Sequence, residues 1–156
     1  MHTALTDGGI LMADYTNATF EEVREVGKGD FATAGQGSAA FKNTLKKLGV
    51  GSAVVRRVAI ASYEAEINLA IHSDGGKLTL SVYPDKIRLV SEDIGPGIAD
   101  LDLVMQEGYS TATEEVRMLG FGAGMGMPNM KRCSDEFDLK SAVGKGTTIT
   151  MDFKLG

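Results

Sequence analysis

Ser91-Glu92-Asp93-Ile94-Gly95-Pro96-Gly97-Ile98-Ala99-Asp100 is the stretch on which the reading of this chain turns. It sets one carboxylate at the end of a strand-like run and follows it with a Gly-Pro-Gly turn. Gly95 and Gly97 remove side chains that would hold a flat ligand off the main chain, and Pro96 stiffens the turn. Asp93 then faces a small, rigid hollow. Its ionised carboxylate only accepts hydrogen bonds, which suits a planar ligand presenting an amino group, such as adenine. Asp-x-Gly-x-Gly is also an ordinary strand-end turn, so the remainder of the chain decides between the two readings.

Immediately upstream, residues 78–83 and 86–90 alternate apolar and polar side chains on either side of Pro84-Asp85, which predicts a hairpin ending at Asp93. Before it, Val54, Val58, Ala61, Ala65 and Leu69 recur every three or four residues, the stripe of a helix over 53–72 that packs on a sheet. A shorter helix is expected from an Asp30 N-cap to Gly49, with Phe31, Ala34, Phe41, Leu45 and Leu48 on one face and Gly35 and Gly37 weakening its first half. Residues 20–26 read as a strand, and 1–19 as a loose leader without period. Downstream come a short helix near 100–106, a polar segment over 107–120, a helix at 128–132, and strands at 136–142 and 147–155. That order suits a two-layer α/β sandwich, a mostly antiparallel sheet with helices on one face.

The bulk properties narrow the classes. With 156 residues, 43% apolar and 24% charged, a single domain over 20–156 buries roughly two thirds of its unfolded surface. The net charge of -5 and pI near 5.0 argue against nucleic acid and against an anionic membrane as partners. The lone Cys133 excludes an internal disulfide and a multi-cysteine metal site, and no apolar run approaches the ~20 residues of a membrane span. A reducing, cytoplasmic setting is expected.

Two further features bear on the hollow beside Asp93. Glycines occupy every second position from Gly120 to Gly126, directly before Pro128 and the final helix, so exposed N–H groups and a helix N-terminus coincide there. This arrangement can cradle phosphates, although it matches neither Gly-x-Gly-x-x-Gly nor Gly-x-x-x-x-Gly-Lys-Ser/Thr. On the long helix, Glu64 and Asn68 stand one turn apart. An Asn amide oxygen is a hard ligand suited to a magnesium ion shared with phosphates, and a Glu one turn earlier can take a proton from an incoming hydroxyl. Glu66 points to the opposite side of the helix, which makes it a poor alternative base, and His72 is assigned no chemistry. Taken singly, such a pair is commonly solvated helix surface.

Glu64-x-x-x-Asn68, Asp93-x-Gly95-x-Gly97, the Gly122-to-Gly126 loop and Gly144-Lys145-Gly146-Thr147-Thr148 resemble, in order and spacing, the GHKL or Bergerat ATP-binding fold of gyrase, the Hsp90 chaperone, histidine kinases and MutL. Glu107-Gly108-Tyr109-Ser110-Thr111, Met127-Pro128-Asn129-Met130-Lys131-Arg132 and Ser134-Asp135-Glu136-Phe137 extend the resemblance to the RsbT-type switch serine kinases and anti-sigma factors of bacterial partner-switching modules. That resemblance implies ATP and magnesium, with Glu64 as general base and Asn68 as magnesium ligand. It further implies Asp93 as adenine anchor with Gly95 and Gly97 around the base, Gly122, Gly124 and Gly126 as phosphate loop, and a Thr147 hydroxyl near Asp93. Residues 107–120 would form an ATP lid, lengthened by Glu114-Glu115-Val116-Arg117, and Ala123 and Met125 stand where bulkier aliphatics are usual. The partners implied are a STAS-type antagonist, a sigma factor or other switch target, and a second copy of the chain in a homodimer. Two outputs stay open, phosphorylation of a serine on the antagonist or sequestration of a partner without transfer. The methionines at 118, 125, 127 and 130 fit either a docking patch or core filling.

Overall fold

The computed structural model describes residues 18–29, 33–72, 75–93, 126–142 and 146–155. Within them lie five strands, β1 (Phe20–Val26), β2 (Gly76–Val82), β3 (Lys86–Asp93), β4 (Glu136–Ala142) and β5 (Gly146–Lys154), and three helices, α1 (Gln36–Lys47), α2 (Ser52–His72) and α3 (Gly126–Cys133). The strands form one sheet in the order β1-β2-β3-β5-β4, every neighbouring pair antiparallel.

The central hairpin sets the sheet's polarity. Tyr83 N–H donates to Lys86 O at 2.8 Å, closing the chain around Pro84-Asp85. Leu80 then faces Leu89 and Val82 faces Ile87, and across β3 Leu89 meets Met151 and Ile87 meets Phe153. All six are buried, in one core with Phe41 and Leu45 of α1, Val58, Ala61, Ala65 and Leu69 of α2, and Met130 of α3. Side chains alternate across a strand, so the face that carries Ile87, Leu89 and Ser91 also carries Asp93. The pleat alone aims that carboxylate into the layer shared with the helices. The opposite face is polar at its centre, where Arg88 makes two hydrogen bonds to Asp152, at 2.8 and 2.9 Å.

On α2 the expected stripe is present, with Val55 fully buried beside the half-buried Val54. The beginning of α1 departs from expectation. The helix starts at Gln36 rather than after Asp30, because Gly35 adopts φ 99°, a left-handed turn incompatible with helix continuation from upstream. Leu48 does not join the core. It caps the helix and is 48% exposed, because Gly49 (φ 79°) turns the chain away at that point. Met130 is fully buried and Met127 packs against the core, so these two methionines fill volume. The expected leader up to residue 17, the Asp30 cap, the 100–106 helix and the 107–120 lid lie outside the described residues.

Candidate functional site

Glu64 and Asn68 are successive-turn neighbours on α2, and α3 begins directly against them. A Cβ on Gly126 would lie 3.3 Å from Asn68 Nδ2, Asn68 Oδ1 and Glu64 Oε2 alike. The absent side chain leaves a shallow cradle over the pair. Burial pushes the Glu64 carboxyl above its usual range, and a hydrogen bond from the Asn129 side chain, one turn into α3, partly offsets this. A carboxylate so placed is a better proton acceptor than a solvated one. The two helices are held together nearby, where Arg57 Nη1 donates to Cys133 O at 3.3 Å and to Asp135 Oδ2 at 3.2 Å.

Glu66, two residues from Glu64, performs a different task. It is 4% exposed and accepts the main-chain N–H groups of Gly37 at 3.0 Å and Ser38 at 3.1 Å. These are among the unpaired donors at the start of α1, so a carboxyl acceptor there substitutes for a local cap that the sequence does not provide. Glu66→Gln turns one acceptor into a donor facing an N–H. It is expected to cost about 1 to 3 kcal/mol in urea denaturation, without changing the turnover of the protein that remains folded.

The second half of the site is built on the sheet. Asp93 Oδ1 accepts the Thr147 N–H at 2.6 Å. Gly146 allows this approach, since it adopts φ 96° and a Cβ there would lie 2.4 Å from Asp93 O and 2.9 Å from Asp93 Oδ1. The Thr147 hydroxyl pairs with the Ser141 hydroxyl at 2.9 Å, across the β4–β5 ladder, while the main-chain N–H of Thr147 meets the Asp93 carboxylate.

The sequence reading missed three contributors: Asn129 beside Glu64, Gly146 beside Asp93, and Glu66 as a remote cap. Gly146 and Asn129 left local signals, their places in Gly144-Lys145-Gly146-Thr147-Thr148 and Met127-Pro128-Asn129-Met130-Lys131-Arg132. Gly95, Gly97, Gly122 and Gly124 lie outside the described residues.

The donors present fit magnesium of the kind that arrives with phosphates. Among the described residues no group of three or more His, Cys, Asp and Glu side chains gathers into a metal cage. Instead one amide oxygen and one carboxylate border a cradle that a Cβ would fill, a sparse protein shell of the kind that a magnesium ion would complete with phosphate oxygens and water. Among the described residues no helix is long and apolar enough to cross a membrane.

Comparison with known proteins bears on this arrangement. Residues 67–156 match the family described as "Histidine kinase-, DNA gyrase B-, and HSP90-like ATPase". The chain is 34% identical to the serine/threonine-protein kinase RsbT of Bacillus subtilis over 112 residues, covering 69% of this chain and 78% of that one. It is also 34% identical over 98 residues to an anti-sigma F factor of Caldanaerobacter subterraneus, covering 60% of this chain and 65% of that relative. An anti-sigma F factor of a Thermoanaerobacter species is 35% identical, with the same coverage. Among solved structures, the mycobacterial sensor histidine kinase MprB superposes with a TM-score of 0.50 at 17% identity, covering 86% of this chain and 97% of that one, a likeness of fold.

Proposed function

The chain belongs to the histidine kinase-, DNA gyrase B- and HSP90-like ATPase family, and from that premise we propose that it is an ATP-dependent serine/threonine protein kinase of a bacterial partner-switching system, acting on a serine of a small STAS-type antagonist protein. The observation that carries this reading is the Glu64 carboxylate, half-buried with a raised pKa, one turn from Asn68 and beneath Gly126. A carboxylate raised by burial and standing at that point suits the removal of a proton from an incoming hydroxyl.

Magnesium-ATP, when bound, supplies the phosphoryl group and the charge neutralisation that its transfer requires. The chain's own residues do the rest. Asp93, fixed by the Thr147 N–H, accepts from the amino group of the base. The Asn68 amide oxygen would hold the metal, and the N–H groups leading into α3 would receive phosphate oxygens. Glu64 takes the proton of the acceptor serine as its oxygen bonds to the γ-phosphorus and the bond to the bridging oxygen breaks, leaving phosphoserine and ADP. Asn68→Ala should leave adenine recognition in place and flatten the magnesium dependence of ATP binding in calorimetric titrations, because the amide touches the metal and not the base.

The decisive experiment captures the partner from the source cell, incubates it with the chain and γ-labelled ATP, and maps phosphoserine by mass spectrometry. The likeness to anti-sigma F factors defines the contrary result. If no captured partner accepts phosphate while ATP still changes partner affinity, the chain acts by sequestration.

A further inference from the structure

We propose that Gly76 is a positioning residue for base recognition: from β2 it clasps the main chain at Asp93 against Gly146 of β5, and so sets where the Asp93 carboxylate meets the base. The inference rests on the reading above in which Asp93 accepts from the amino group of the base, and it adds to that reading the residue that fixes the distance.

Gly76 opens β2 between two other strand ends. It pairs with Val26 of β1 on one side and with Asp93 of β3 on the other. A Cβ on Gly76 would lie 2.8 Å from Asp93 Cα and 3.0 Å from the Glu92 carbonyl carbon, and would run into Glu92 O. Cβ atoms of an ordinary facing pair stand about 4.5 to 5.5 Å apart, so the two strands approach here more closely than a side chain permits. All three atoms in the way are main chain, and none can rotate aside. A methyl group at position 76 must therefore be accommodated by moving β2 or by moving the end of β3.

β2 has no room to retreat. Gly75, immediately before Gly76, holds φ 96°, and a Cβ there would lie 2.9 Å from Val26 O and 3.4 Å from Lys28 N. The start of β2 is thus pressed against the end of β1 as well as against β3. Leu78 and Ser91, the next facing pair on the same side of the sheet, are both buried and hold the two strands in the core. On the far side of β3, a Cβ on Gly146 would lie 2.9 Å from Asp93 Oδ1 and would run into Asp93 O. Asp93 is therefore held between two glycines on the strands that flank it. A hydrogen bond keeps its strength over a range of only about 0.5 Å, so a shift of a few tenths of an ångström at this main chain spoils the contact its carboxylate makes with the base.

The test titrates ATP and GTP into the full chain and reads the ratio of their affinities. Gly76→Ala should cut the wild-type preference for ATP about 10-fold, the scale of one hydrogen bond to a charged group. It should have no such effect in an Asp93→Asn background, where there is no carboxylate to misplace. Gly49→Ala is the control for lost stability, since Gly49 has φ 79° and nothing within 4 Å of its Cβ position. That variant should melt earlier and keep the full preference. The Thr147 amide proton gives a readout that needs no nucleotide, and its resonance should shift in Gly76→Ala and stay in Gly49→Ala. If Gly76→Ala does not fold, Asp93→Glu decides, because a clasped main chain cannot draw back to seat a side chain one methylene longer. The preference should then fall about as far as in Asp93→Asn. A Gly76→Ala protein with wild-type preference or an unmoved Thr147 resonance overturns the proposal, as does an effect undiminished by Asp93→Asn or an Asp93→Glu protein that keeps the preference. Wild type that binds ATP and GTP alike, together with a shifted Thr147 resonance, instead brings down the reading of Asp93 as the base acceptor and with it the role of Gly76 in recognition, while the clasp itself stands.

Discussion

Glu64→Gln should bind magnesium-ATP about as tightly as the wild type and phosphorylate the partner at least ~10²-fold more slowly, the usual cost of deleting a general base. The substitution is nearly isosteric and touches neither Asp93 nor the Asn68 amide, so ground-state binding is spared. It should not weaken the fold either. Burial holds the Glu64 pKa above its value in the unfolded chain, so its contribution to stability is fully present below the unfolded pKa and is lost as the pH rises through the folded one. Glutamine carries no charge to bury and should be at least as stable as wild type at neutral pH in urea denaturation. Transfer by the wild type should decline on acidification at a pH above that of an ordinary glutamate, as the base is protonated. An active, ATP-binding Glu64→Gln protein would remove Glu64 from its role.

Asp93→Asn should lose about 1.5 to 3 kcal/mol of ATP affinity, the range for a hydrogen bond to a charged group, while remaining folded. The asparagine oxygen can still accept the Thr147 N–H, so the local backbone has no reason to move. What changes is the face toward the base, where a carboxylate that only accepts gives way to an amide that also donates. Calorimetry with ATP and GTP separates the two effects. Wild type should prefer ATP and the variant should lose most of that preference. Equal wild-type affinity for the two nucleotides would mean that Asp93 does not read the base.

Helix α2 shows how far the sequence could be read. Its apolar recurrence is a local property with a single period, so Val58, Ala61, Ala65 and Leu69 could be assigned to the core, and the i, i+4 spacing put Glu64 and Asn68 together. The partners of those two side chains were not legible, because Asn129 and Gly126 reach them from a helix some sixty residues later in sequence. Glu66 illustrates the same limit from the other side. Angle around the helix set it apart from Glu64 and Asn68, yet nothing local announced that its carboxylate would cap α1. The β2–β3 hairpin was readable from its alternation and its Pro-Asp turn. That β5 lies between β3 and β4 is a non-local pairing that no short window encodes. At α1, helical spacing from Phe31 onward suggested an early start, and the left-handed turn at Gly35 overrode it.

The hydrogen bond from Thr147 to Asp93 comes from the main chain, and this has an evolutionary consequence. Every amino acid except proline carries that N–H, so drift at position 147 through serine, valine or alanine leaves the anchor of the carboxylate intact and disturbs only the Ser141 hydroxyl. Changes in chain length are another matter. Inserting or deleting one residue between Ala142 and Gly146 would strain the β4–β5 pairing that closes at Ala142 and Gly146, next to the glycine whose missing Cβ lets Asp93 approach. Lineages of this gene should therefore accumulate substitutions at 147 freely and indels in the preceding turn hardly at all.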